Sequence, residues 1–482
     1  MARLRANLLT EAERDTLHEQ TLTVLEEVGV AIPIPEALDF LEEGGAKVDR
    51  DTSVARIPRE LVQHCLETTP KQVLLAARDP NNDVVVGDGS LTFTTDGTAT
   101  FVLDDETGER HEGTAEDQRT INKLFDALPN VDYIWPTISA RDLDPVACDL
   151  EIQAIAFRSC AKHVQDEIRT PELVPPMLDM IAAVGGATPA ERPVYSQIDC
   201  PLAPLSHEPR LTGASMALAR AHVPIVIMPM PLMGTTAPMS IAGVAVVSMA
   251  EVLSSVVLFQ LVAPGCPLIA APEPGAADLR TGSYLCGAPE ADLAVFASVE
   301  MVKHYGLPCQ GPGMGGDAKA PDMQEGAEGM GGALTGALLG ADTLVGIGTL
   351  DGAQMTSLAK IVLDDDVAGL VKTMVSDISL DVADTLVDDI SEVGPGGHFM
   401  ARRSTRERGR GGGIWHPTVF RRGSFEAHHG STLVQAALAR ARELLASHEV
   451  VPLPDDVGHH LDEVIAAQRR LGSASGGTSR HP

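Results

Sequence analysis

From about residue 114, this 482-residue chain alternates short apolar runs with longer segments of helical spacing. That alternation limits the fold more than any other feature. The apolar runs predict strands at Val131–Ile138, His163–Ile168, Val194–Ile198, Ile225–Pro229, Pro267–Ala271, Pro308–Gln310 and Thr343–Gly346. Helices are predicted between and after them, at about 147–160, 171–185, 210–221, 238–262, 288–305, 321–339 and 357–376. Strands separated by helices pair in parallel, because the crossover brings each new strand back in the same direction. Seven such units, with an irregular eighth near 390–420, predict an α/β chain with a (β/α)8 TIM barrel over 114–425. A doubly wound open sheet is the alternative.

The flanks read differently. Residues 8–29, 35–44 and 58–67 have helical patterns, and Thr10 with Glu13 forms a capping box. Two β-rich runs, Leu91–Thr95 and Thr98–Leu103, meet at Asp96-Gly97, which signals a hairpin. Residues 1–113 therefore read as N-terminal helices with a small antiparallel β insert. Residues 426–472 read as C-terminal helices, and the small polar stretch 473–482 as a disordered tail.

A net charge of −31 argues against nucleic acid as a partner, since phosphates need basic surfaces. No uninterrupted run of 18 apolar residues occurs, so no membrane span is expected. The first 20 residues are charged and lack an apolar signal core, which predicts a cytoplasmic protein. Seven cysteines, none in a C-x-x-C pair, and the lack of H-E-x-x-H give no support to a metal site.

Chemistry concentrates in His304–Glu328: a short strand, a glycine-rich loop, then a helix. Asp317, Lys319, Asp322, Gln324 and Glu328 sit where α/β enzymes place functional groups, on the loop that follows a strand. Asp317, Lys319 and Gln324 are the candidate catalytic residues. Asp322, Glu325 and Glu328 are spaced by three and share a helix face, for which an acidic solvated face is the plainer reading. Gly311–Gly316 formally matches G-x-G-x-x-G, the basis of an alternative reading as a nucleotide-dependent oxidoreductase. Pro312 and the acidic Asp317 count against it. Tyr133 and Trp135, two apart, face one side of a strand and suit a cage for a quaternary ammonium; core packing is the plainer reading. Arg280 is a candidate carboxylate clamp or an ordinary surface arginine. Tyr305 is one of only four tyrosines and adjoins the glycine loop's strand. Arg402, Arg403, Arg406, Arg408 and Arg410 form a basic run, either a solvated loop or a contact for an anionic partner.

Several segments together resemble the trimethylamine methyltransferase family. They include Leu9-Thr-Glu-Ala-Glu, Met233-Gly-Thr-Thr-Ala-Pro-Met-Ser-Ile-Ala-Gly243, Ala250-Glu-Val-Leu and Gln260-Leu-Val-Ala-Pro-Gly265. They continue with Gly287-Ala-Pro-Glu290, Tyr305-Gly-Leu-Pro, Asp317-Ala-Lys-Ala-Pro-Asp-Met-Gln324, Gly397-His398-Phe, and Arg421-Arg422 before Ser424-Phe-Glu. Their order and spacing run over residues 8–447. The resemblance implies a (β/α)8 barrel and methyl transfer from a methylated amine to the cobalt of a corrinoid (cobalamin) carried by a separate protein. Founding members carry pyrrolysine; this chain has only standard residues, which resembles the branch acting on quaternary amines such as glycine betaine. Tyr133, Trp135, Arg280, Tyr305, Asp322, Glu328 and His398 are then candidate substrate contacts. Methyl transfer from a quaternary ammonium releases a neutral amine and moves no proton, so neither a nucleophilic serine nor an acid histidine is required. A binding protein without turnover is the second reading, and a homo-oligomer stays open.

Overall fold

The computed structural model describes residues 3–474. The expected tail from Ser473 falls mostly outside them; the last helix, Asp455–Ala474, contains its first two residues. Two sheets of parallel strands form the centre. One runs in the order Leu268–Ala270, Ile225–Ile227, Tyr195–Asp199, Val164–Asp166. The other runs Gln310–Pro312, Thr343–Ile347, Thr92–Thr95. Isolated parallel bridges connect them: Ala270 to Cys309 on one side, and Val164 to Ile134 and Tyr133 to Thr94 on the other. Helices of 12 to 22 residues lie between successive strands, from Cys148–Ser159 to Leu358–Met374.

Side-chain alternation shows why these strands are apolar on both faces. Ile225, Ile227, Leu268 and Ala270 pack with the helices in the main core. Their sequence neighbours Val226 and Ile269 join Ile198, Tyr133, Trp135, Met228 and Ala271 in a second core on the opposite face. A strand buried on both faces needs a continuous apolar run, which is what the sequence carries. The antiparallel pair Val73–Leu75 and Val84–Val86 inserts Val73, Leu75, Val84 and Val86 into this second core. Ala76, next to that pair, donates to Pro193 and accepts from His163, both just before strands begin. The pair therefore plugs the N-terminal end of the strands.

Ile241–Val262 is long and apolar enough by composition to cross a membrane, yet 72% of its most apolar 18 residues are buried inside this fold. It packs on the N-terminal helices Glu11–Thr23, Pro35–Glu43 and Arg59–Thr68 as well as on Pro209–Arg220 and Pro289–His304. The capping box at Thr10 forms as expected.

Two sequence expectations are corrected. The runs at 91–95 and 98–103 make no hairpin. Thr92–Thr95 pairs in parallel with Thr343–Ile347, whereas Phe101–Leu103 pairs with Arg110–Glu112 and with Met355–Ser357. A tight hairpin turn needs positive φ at its central residues; only Thr98 has it here, while Gly97 packs against the Trp135 ring. The irregular eighth unit near 390–420 contains no strand either. It holds two short helices, Val387–Val393 and Arg403–Arg410, whose polar sequences offer no apolar run to bury. Thr92–Thr95 instead supplies a parallel neighbour of Thr343–Ile347.

Candidate active site

The plug closes one end of the strands, so their C-terminal ends form the accessible side. There the sequence turns from apolar to acidic at several strand ends. Asp96 follows Thr92–Thr95, Glu167 follows Val164–Asp166, and Glu273 follows Leu268–Ala270 by three residues. Trp135 stands among them, its indole N–H donating to Asp166 at 3.0 Å. Gly97 passes so close to that ring that an added Cβ would lie 2.2 Å from it.

These carboxylates are crowded and poorly solvated. Burial pushes Asp96 up to about 7. Burial, then repulsion from Asp166, pushes Glu167 up to about 7. Glu273 lies well above the usual carboxylate range, first through burial and then through Asp96 and Asp292. One Glu273 oxygen is buried without a hydrogen-bond partner. Asp292 is raised to about 6 by burial and by Glu328 and Asp317. Among the described residues no lysine or arginine forms an ion pair with Asp96, Glu167 or Glu273. Tyr284 and Cys286 complete the group; burial raises both hydroxyl and thiol, and Glu273 and Asp96 add to it. Beside Trp135 lies a cavity of about 350 Å³ lined by Asp166, Glu167, Arg141, Asp149 and Arg169. Arg169 is already paired with Asp149.

Such a cup is built for a cation. Three or more carboxylates in a poorly solvated space repel one another, and a positive ligand relieves that repulsion. An aromatic face adds cation–π attraction. A cation that binds here therefore prefers the ionised carboxylates. Affinity for tetramethylammonium, which does not titrate, is expected to rise about tenfold between about pH 6 and about pH 8 for each carboxylate that must ionise. Calorimetry across that range checks it, and a flat profile would sink the assignment. Stability without ligand runs the opposite way. Raised carboxyl groups contribute most below their unfolded values of about 4, and that contribution is lost as pH rises through about 7.

Below the cup, Tyr133 is fully buried and donates to Gln310 at 2.9 Å. His163 meets its ring edge-on, bonded to Ala76 and Ser196, and burial holds that imidazole down at about 4. Tyr133 thus lies one strand step deeper than Trp135, in a neutral layer of hydrogen bonds.

The glycine-loop residues form a connected network. Asp317 accepts from the backbone of Cys286 at 2.9 Å and Gly287 at 3.0 Å. Glu328 accepts from the backbone of Asp317 at 2.8 Å and from the Gln324 amide at 2.8 Å. Asp322 caps the helix Met323–Leu339 through Gln324. Asp317 and Glu328 thereby seat the Tyr284–Cys286 segment over the cup. Just past the glycines, Glu328 accepts from the Asp317 and Ala318 N–H groups, and a Cβ on Gly316 would strike that side chain. That places a carboxylate, not a cation, against the end of the glycine loop.

Other sequence candidates lie elsewhere. Lys319 is exposed and paired with Asp351. Arg280 is 88% exposed and clamped to Asp278 of its own turn. Tyr305 packs between His18 and His304 at the end of Pro289–His304, before the next strand begins. His398 is exposed in the segment beyond Leu358–Met374. The structure does not bring these four to the cup. Asp96, Glu167 and Glu273 were missed by sequence reasoning, although Asp96 and Glu167 directly follow strands and Glu273 follows one by three residues.

The network is anchored by a buried triad. Lys360, fully buried, donates to Glu325, to Asp364 at 2.7 Å and to the Met314 carbonyl at 3.3 Å. Burial alone would lower its ammonium, but the two carboxylates outweigh burial and hold it raised. Asp364 also accepts from the Gly348 backbone at 2.7 Å. One cation thus ties the glycine loop, its following helix and the Thr343–Ile347 strand end together.

Comparison with known proteins agrees with the sequence resemblance. The trimethylamine methyltransferase (MTTB) family model matches residues 3–473. A trimethylamine methyltransferase from Methanosarcina thermophila is 31% identical over 464 residues, covering 94% of this chain and 95% of that protein. A glycine betaine methyltransferase from Desulfitobacterium hafniense is 29% identical, covering 95% and 96%. Among solved structures, the hydrogenase maturase HydG aligns with a TM-score of 0.36 at 10% identity, over 98% of this chain and 96% of that one. A dihydropteroate synthase from Xanthomonas albilineans aligns at 0.35 and 16%, over 62% and 98%. Those structural likenesses are too slight to carry an argument. With a family model matching nearly every residue and relatives covered almost end to end, the chain belongs to the trimethylamine methyltransferase family.

Proposed function

We propose that this protein takes a methyl group from a quaternary amine of betaine type and delivers it to the cobalt of a corrinoid carried by a separate protein. The observation that carries this reading is the set of poorly solvated carboxylates at the strand ends, Asp96, Glu167 and Glu273, none in an ion pair among the described residues, with Trp135 beside Gly97 and Asp166. We also propose that the two parallel sheets, joined by the bridges at Tyr133, Ile134 and Cys309, act as one (β/α)8 barrel with the cup at its mouth. A cytoplasmic setting belongs to the same proposal, since a strongly reducing corrinoid survives best in a reducing compartment.

The residues present fit a corrinoid brought from outside. The plug blocks approach from below, and Asp96, Glu167 and Glu273 keep partial exposure on the open side. The corrinoid supplies a strong cobalt nucleophile that accepts the methyl. The chain's own residues do the rest. Trp135 and the carboxylates hold the ammonium, which fixes the direction of its methyl groups. Asp317 and Glu328 hold the covering segment that limits water. When the amine loses its methyl it becomes neutral, and the carboxylates no longer retain it. No side chain need give or take a proton in that step.

The test uses the pure protein, a panel of methylated amines and reduced cobalamin, with a corrinoid protein added in parallel. The expected result is methylcobalamin formation, followed by absorbance, with at least one quaternary amine. Binding by calorimetry without methyl transfer under any of these conditions would replace the enzyme with a binding protein.

A further inference from the structure

We propose that residues 376–432 form a two-fold interface with a second copy of this chain. This stretch leaves Leu358–Met374 and covers almost nothing. The short helices Val387–Val393, Arg403–Arg410 and Phe425–His428 bury no residue. Large apolar side chains stand in solvent instead, including Val382 at 87%, Met400 at 80% and Phe425 at 76% exposure. A segment of this length cannot offset its ordering entropy without burying apolar surface.

The segment is nevertheless seated. Asp366 accepts from the backbone of Thr418 at 2.7 Å, Val419 at 2.8 Å and Phe420 at 2.8 Å. Trp415 lies on Gly369, with Arg422 stacked 5.3 Å from its ring centre. A fixed surface with exposed apolar groups is what a partner requires.

Charge identifies the partner. Residues 401–422 hold seven arginines and one glutamate, on a chain of net charge −31. Immediately before them, 381–392 hold four aspartates and one glutamate. Some of these pair within the chain, as Arg402 does with Asp389 and Arg408 with Asp384. Arg406, Arg410, Asp381 and Asp388 form no ion pair among the described residues. An acidic arm beside a basic arm is self-complementary: a two-fold axis sets the acidic arm of each copy against the basic arm of the other. Between the arms lies a groove of about 480 Å³, lined by apolar Val382, Leu386 and Val387 and by charged Asp388, Arg403 and Glu407; its apolar part accepts an apolar side chain from the second copy.

Sedimentation velocity of the full chain at about 10 μM, where an interface of standard size is stable, tests this. The expected species has twice the 50.8 kDa mass of one chain. Arg406→Glu with Arg410→Glu reverses the two unpaired cations of the basic arm, and Asp381→Arg with Asp388→Arg reverses the two unpaired anions of the acidic arm. Each double variant alone is expected to sediment as a monomer with an unchanged circular dichroism spectrum, and their equimolar mixture to regain the doubled mass. Val382→Asp, which alters the groove and no ion pair, is also expected to halve the mass, and it decides the matter if a reversal variant fails to fold. A monomeric wild-type chain, a dimer indifferent to all three variants, or a mixture that stays monomeric would each overturn the proposal.

Discussion

Lys360→Met is expected to cost roughly 3–5 kcal/mol of stability, the usual loss when one partner of a buried ion pair is removed. The substitution keeps volume and chain length but leaves Glu325 and Asp364 facing each other without a cation. Burial already pushes Asp364 up to about 7 despite Lys360, so without it the Asp364 carboxyl must take up a proton to remain inside. Urea denaturation followed by circular dichroism measures the loss, and a change under about 1 kcal/mol would show that the triad is not holding the fold. Adding Glu325→Leu should recover part of the loss, because a buried apolar pair often matches a buried ionic one. The Met314 carbonyl loses its donor in either variant, so the glycine loop and the Asp317–Cys286 contact should loosen. Faster amide exchange at Cys286 and Gly287 is the local signature.

Trp135→Ala should weaken binding of tetramethylammonium by about 5- to 30-fold, the equivalent of roughly 1–2 kcal/mol of cation–π attraction. Trp135→Phe separates two contributions. It keeps an aromatic face but deletes the indole N–H that reaches Asp166. If the face matters, the Phe variant retains most of the affinity. If the hydrogen bond matters through Asp166, Phe and Ala behave alike. Calorimetry at a pH where the carboxylates are ionised reads both. Equal affinity in all three proteins would remove the cup as the cation site.

How much of this was legible can be judged on particular residues. The helices and most parallel strands follow from local pattern: the capping box at Thr10 and Glu13 formed, and the strand predicted from Thr343 is present. Thr92–Thr95 defeated local reading because its partner, Thr343–Ile347, is some 250 residues away. A strand's neighbours are a property of the closed fold, and Asp96-Gly97 offered a plausible local turn instead. Asp322, Glu325 and Glu328 illustrate the same limit more finely. Their spacing correctly placed Glu325 and Glu328 on one helix, with Asp322 as its N-cap, but their surroundings differ completely. Asp322 is an exposed cap, Glu325 is buried against Lys360, and Glu328 reaches back to the glycine loop.

The sequence by itself determined the α/β alternation, the family, and the acidic, aromatic-poor character of the chain. These depend on periodicity, order and composition, all of which are local or additive. Only the tertiary structure decided which acids work together. Asp96 and Glu273 are far apart in the chain, yet each raises the proton affinity of the other or of its neighbours, because the strand ends bring them into one poorly solvated space. Electrostatic coupling depends on distance in space and on exclusion of water, and neither is written in the order of residues.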